Sequence, residues 1–128
     1  MQRRNFLRSS ALTTGLLALS SKELFAFFAD PTYKVTMLTN NIGIFTEKGG
    51  TIGFYLSSDG IVVIDTQFPD QANHLVTDLK TRSDKAYRLL INTHHHGDHT
   101  AGNIVFKDLV PHVLAHENSK INQQNVAV

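Results

Sequence analysis

The sequence predicts an α/β chain that makes up half of a sandwich of sheets and helices, on three observations. Short apolar segments separated by turn residues fill positions 33–65. Apolar spacing then changes to a helical period between Ala72 and Leu79. Finally, a buried-type strand over Arg88 to Asn92 runs directly into the run His94-His95-His96-Gly97-Asp98-His99. A β meander followed by strand–helix–strand, with ligand-type side chains at a strand's carboxyl end, is the layout of one half of such a sandwich.

Each element has its own signal. Tyr33 to Leu38 alternates, Asn40-Asn41 marks a turn, and Ile42 to Thr46 makes a second strand. Glu47-Lys48-Gly49-Gly50 is a second turn. Thr51 to Ser57 and Ile61 to Asp65 are separated by Ser58-Asp59-Gly60, and Asp-Gly is a strong hairpin signal. Ile61-Val62-Val63-Ile64 is a β-branched run of the buried type that ends on Asp65. Ala72, Leu75, Val76 and Leu79 lie at i, i+3, i+4 and i+7, one face of a helix. Pro69 suits the first turn of that helix and Asp70 its amino-terminal dipole. His74 lies within it and reads as a surface or half-buried histidine. After Arg88 to Asn92, a helix is expected from about Ala101 to Asp108, then a strand around Val113 to Ala115. Glu117 to Val128 reads as a helix start or a polar loop.

At 128 residues the chain is one small domain at most. With 41% hydrophobic and 18% charged residues it has the composition of a soluble globular chain. A formal charge of +1 with scattered Lys and Arg gives no nucleic-acid surface, and no nucleic-acid partner is expected. The absence of cysteine excludes disulfides and thiolate ligands within these residues.

Residues 1–29 read as an export signal, leaving 30–128 as the working domain. Arg3-Arg4-Asn5-Phe6-Leu7 precedes the modest apolar stretch Ala11 to Leu19, which is too short to span a bilayer. The pattern resembles a twin-arginine signal and departs from it at Gln2 and Arg8. Ala26 or Ala29 could precede the cut, although neither forms an Ala-x-Ala. An amphipathic amino-terminal helix is the other reading. The resemblance implies a bacterial periplasm or cell-envelope location, the export machinery for folded proteins as a partner, and no stable membrane span.

The run from His94 to His99 holds four of the seven histidines and a carboxylate. Neutral imidazoles and carboxylates are the natural ligands of zinc and related divalent ions. In an extended strand end, successive side chains alternate, so His94 and His96 point the same way and can share one ion. Gly97 then permits whatever backbone the turn requires, and Asp98 and His99 follow as an adjacent pair. The run can thus offer two ligands to each of two neighbouring ions. An exposed histidine-rich loop with weak metal affinity is the alternative, and it leaves the Asp, the Gly and the flanking strand and helix signals unexplained.

This His-x-His-x-Asp-His pattern resembles the signature of the metallo-β-lactamase fold superfamily, and the likeness extends over roughly residues 33–118. The resemblance implies an α+β four-layer αββα sandwich, with only the amino-terminal half present and the site at one edge between two sheets. It implies His94 and His96 as ligands of a first metal, and Asp98 and His99 as ligands of a second. The ion implied is zinc, two per complete site, with iron or manganese as the alternatives. Asp98 would also act as a base near the bridging water. Asp65 would orient the loop without touching an ion, as acceptors behind metal-bound histidines do; its other reading is a cap or turn residue before Pro69. Gly102 matches a family glycine where the next helix begins, or is a helix-start glycine with no contact to the site.

Family members complete the site with a third histidine, a bridging aspartate and a last histidine, all well after the motif. Here only His112 and His116 follow His99, and neither is expected to bind metal. The chain is therefore expected to be the front part of a longer protein. For that parent the resemblance implies an exported zinc-dependent hydrolase using a metal-bound hydroxide on a small-molecule lactam, lactone, thioester or related ester. The alternatives are an iron-dependent oxidoreductase of the same fold and a catalytically incomplete metal-binding fragment. A nuclease fits badly with an export signal and near-neutral charge.

Overall fold

Alternation along the first segments builds four antiparallel strands: β1 (Lys34–Met37), β2 (Ile42–Glu47), β3 (Gly50–Ser57) and β4 (Gly60–Ile64). The structure is a computed structural model in which residues 32–48 and 50–126 are described, so the expected export signal and its cleavage site lie outside them. Helix α1 (Pro69–Arg82) carries the chain over the sheet to β5 (Tyr87–Asn92), which pairs parallel to β4. A single helical turn, α2 (Gly97–Thr100), leads into a 3-10 segment over Ala101–Phe106. Strand β6 (Val113–Ala115) then joins parallel to β5, and α3 (Glu117–Val126) follows. The six strands lie in sequence order in one mixed sheet.

One face of this sheet carries the core. Phe45, Ile52, Phe54, Ile61, Val63 and Leu90 are buried there under Ala72, Leu75 and Leu79 of α1 and Phe106 of the 3-10 segment. The helix turns inward the positions that the 3.6-residue period predicts. It stops where the Ser83 N–H bonds the Leu79 carbonyl. The opposite face is also apolar. The register aligns Ile44, Gly53, Ile64, Ile91 and Leu114 in one row across five strands. A second row joins Ile42, Tyr55, Val62 and Leu89. Ile64 keeps 36% of its surface exposed and Leu114 55%.

A buried carboxylate fastens α1 to the sheet. Glu47, at the end of β2, accepts hydrogen bonds from Thr32 Oγ1 at 2.7 Å and from His74 Nδ1 of α1 at 2.9 Å. Tyr33 stacks on both His74 and Phe45. Burial raises the Glu47 carboxyl, but the hydrogen bonds from His74 and Thr32 outweigh it and hold the group below the usual carboxylate range. At the start of β5, burial pushes the Tyr87 phenol up to about 12, with its ring edge-on to Phe106.

The expected helix over Ala101 to Asp108 takes a different form: it begins earlier, at Gly97, and becomes 3-10 from Ala101. The physical reason is a diverted donor. Gly102 N–H bonds the Gln67 carbonyl at 2.8 Å and so is lost to an α-helical ladder. At the other open segment, α3 forms a ten-residue helix whose first turn is capped by His116, whose Nδ1 accepts the Asn118 N–H at 3.2 Å. Among the described residues, no helix is long and apolar enough to cross a membrane.

Candidate metal centre

The site is assembled where β4 and β5, parallel neighbours, end side by side. Asp65, just past β4, takes a left-handed backbone with φ of 63°, and Gln67 repeats this at 52°. Aspartate is among the few non-glycine residues that enter this region readily. The Asp65 N–H bonds the Ile91 carbonyl at 2.8 Å, which ties the turn to β5. The carboxylate thereby comes to lie under the loop that follows Asn92.

Asp65 is 5% exposed and both its oxygens accept hydrogen bonds. Oδ1 accepts the Thr93 N–H at 2.9 Å. Oδ2 accepts the Thr93 hydroxyl at 2.7 Å and faces His99 Nδ1 at 2.8 Å. The His99 carbonyl in turn accepts the Thr66 N–H at 2.9 Å. Asn92 and Asn103 exchange two amide hydrogen bonds, at 3.1 and 2.7 Å, and so pin the end of β5 to the 3-10 segment. Gly102 packs so close that a Cβ there would stand 2.4 Å from the Thr66 carbonyl oxygen. Gly102 therefore touches the residue that holds His99, rather than merely starting a helix.

Above this bracket the imidazoles crowd together. The His94 ring lies 4.0 Å from that of His99 and 4.9 Å from that of His96, centroid to centroid. Asp98 Oδ2 is 3.5 Å from His99 Nε2. Among the described residues, one group of three, Asp65, His94 and His99, brings ligand-type atoms within 4.8 Å of one another. That group takes one histidine from each of the two expected ligand pairs and adds the buried Asp65. His96 and Asp98 stand at its exposed rim. An open groove of about 450 Å³ runs past His95, His96, Gly97 and Thr100 to Gln123 of α3. Two imidazoles and a carboxylate with ligand-type atoms within 4.8 Å of one another fit a divalent cation by their donor chemistry.

The remaining histidines lie elsewhere. His74 pairs with Glu47, His116 caps α3, and the exposed His112 contributes its backbone carbonyl to the Leu90 N–H. Sequence reasoning missed Thr93, Thr66 and the Asn92–Asn103 clasp. Asn92 carried the one available signal, because an amide at the end of a buried-type strand requires a polar partner.

The model of the "Metallo-beta-lactamase superfamily" matches residues 46–123. Among solved structures, the chain is similar to a metallo-beta-lactamase from Pontibacter korlensis, with a TM-score of 0.64 and 23% identity, over 74% of this chain and 48% of that one. It is also similar to a metallo beta lactamase from Hirschia baltica, with a TM-score of 0.63 and 19% identity, over 77% of this chain and 49% of that one. The chain thus spans about half the length of these structures, and the α+β architecture expected from the sequence is the one they share with it. No curated protein matches it.

Proposed function

The chain belongs to the metallo-beta-lactamase superfamily, and we propose that the whole protein is an exported zinc-dependent hydrolase of small-molecule lactams, lactones, thioesters or related esters. The observation that carries this reading is the crowding of His94, His96, Asp98 and His99 at the ends of β4 and β5, above a buried carboxylate that already accepts three hydrogen bonds. His94 and His96 would hold one divalent ion, and Asp98 and His99 the other. Such ions, when bound, supply a water acidic enough to attack at neutral pH and positive charge for the developing oxyanion. Asp98, exposed at the rim, would take up the proton of the attacking water on its carboxylate. Asp65 holds His99 from behind and meets no substrate. His95 faces the groove and orients nothing that Asp65 touches. Export is supported by the sequence alone, through Arg3-Arg4-x-Phe6-Leu7 ahead of a weakly apolar stretch.

The test is metal analysis of the whole protein made without added zinc, together with turnover on a panel of lactams, lactones, thioesters and sulfate esters. Two zinc ions per chain are expected, with Asp98→Asn lowering kcat by about a hundredfold or more and His95→Ala changing it little. Resident iron with oxygen- or sulfur-transfer activity would replace this reading by the oxidoreductase one. A second reading, metal binding without turnover, is favoured for the 128 residues by themselves because they span about half of the similar structures.

A further inference from the structure

With Asp65 ionised and the rings neutral, the hydrogen bonds beneath the histidines allow one arrangement of protons at the two Nδ1 atoms. A carboxylate oxygen can only accept, so the Thr93 hydroxyl, 2.7 Å from Asp65 Oδ2, spends its single proton there. The same hydroxyl oxygen lies 3.0 Å from His94 Nδ1. With its proton already committed, it can meet His94 only as an acceptor, and Nδ1 must carry the hydrogen. His99 Nδ1, 2.8 Å from the same Asp65 oxygen, must carry one for the same reason. In the neutral rings this leaves a bare Nε2, the atom an imidazole needs to ligate a cation, and at His99 that atom lies 3.5 Å from Asp98 Oδ2. The Thr93 backbone N–H on Asp65 Oδ1 anchors the residue, and the hydroxyl itself is held between Asp65 Oδ2 and His94 Nδ1.

We propose that Thr93 is a positioning residue that sets the His94 tautomer, so that one buried carboxylate, Asp65, orients two histidines: His99 directly and His94 through a threonine hydroxyl. The role of this orientation in binding an ion rests on the metal-hydrolase reading, whereas the tautomer itself does not. Outer groups of this kind typically change metal affinity about 10- to 100-fold when removed. Thr93→Val keeps the shape and the backbone N–H and removes only the relay. Thr93→Ser keeps the hydroxyl.

The experiment is a two-bond 1H–15N correlation spectrum of the histidine rings in the full, metal-free chain at a pH where they are neutral, followed by zinc titration. His94 is expected as the Nδ1–H tautomer in the unmodified chain and in Thr93→Ser, and to lose that preference in Thr93→Val. His99 should keep its Nδ1–H form in all three. Zinc affinity should fall about 10- to 100-fold in Thr93→Val and return to within a few-fold in Thr93→Ser. An Nε2–H tautomer at His94 in the unmodified chain overturns the proposal without any variant, so a failure of Thr93→Val to fold cannot protect it. An unchanged His94 tautomer in folded Thr93→Val also overturns it. Tautomers as stated but no zinc uptake by the chain or the whole protein would remove the hydrolase reading and leave the relay standing.

Discussion

The two faces of the sheet are alike in composition and opposite in fate. The face under α1 places Phe45, Ile52, Phe54 and Val63 at 1% exposure or less. The other face aligns Ile44, Ile64, Ile91 and Leu114 in an equally apolar row, yet leaves Ile64 and Leu114 one-third to more than one-half exposed. Burial here is decided by what lies over a face, since the strands supply apolar side chains to both. A sheet apolar on both sides belongs to an architecture with a layer on each side. The candidate metal centre sits at the strand ends, where the two faces meet, and its bracket draws residues from β4, β5 and the 3-10 segment rather than from either face alone.

This contrast can be broken or sharpened by substitution. The largest effect is expected at Phe54→Ala, which empties the covered face and should cost about 3–5 kcal/mol in urea unfolding of the chain. Gly102→Ala should cost about 1–3 kcal/mol, because the new Cβ meets a backbone carbonyl that cannot easily move. It should also weaken zinc binding in a titration, through Thr66 and His99. Glu47→Gln should cost about 1–2 kcal/mol near neutral pH by loosening α1 from the covered face. Glu47 is held below its ordinary value of 4.5 in the folded chain, so its contribution is present above that pH and is lost as pH falls through the folded value. Unfolding midpoints of Glu47→Gln and the unmodified chain should therefore converge in acid. The smallest effect is expected at Ile64→Ala on the open face, about 1 kcal/mol in this chain, where the side chain is 36% exposed. The same change in the whole protein should cost about 2 kcal/mol or more if a second layer covers that row. An equally large cost in this chain alone would mean that another copy covers the face, which a sedimentation measurement would show.

Much of the fold was legible because its signals are local. Asp59-Gly60 marked the hairpin, the spacing from Ala72 to Leu79 identified the buried stripe of α1, and the run from His94 to His99 announced donor chemistry without any tertiary information. What escaped depends on residues far apart in the chain. Glu47 and His74 are 27 positions apart, and neither carries a mark of the other. The 3-10 form after Thr100 follows from a bond between Gly102 and Gln67, which no periodicity within the segment encodes. Thr93 passed as a mere neighbour of the motif, since a hydroxyl becomes informative only once Asp65 is seen beneath it. An uncovered sheet face is what half a sandwich implies, although Ile64 and Ile91 taken singly read as buried strand residues, which describes the face they prepare rather than the exposure they have here.

The left-handed backbone at Asp65 narrows the alphabet available at that position. Local conformation there favours glycine, asparagine and aspartate and penalises β-branched or bulky residues. The three donors converging on its side chain demand two acceptor oxygens, which glycine lacks and asparagine only half supplies. Each requirement alone leaves several choices; together they leave aspartate. A single letter at the end of β4 thus satisfies both the turn of the chain and the alignment of the histidines, and drift away from it would disturb both at once.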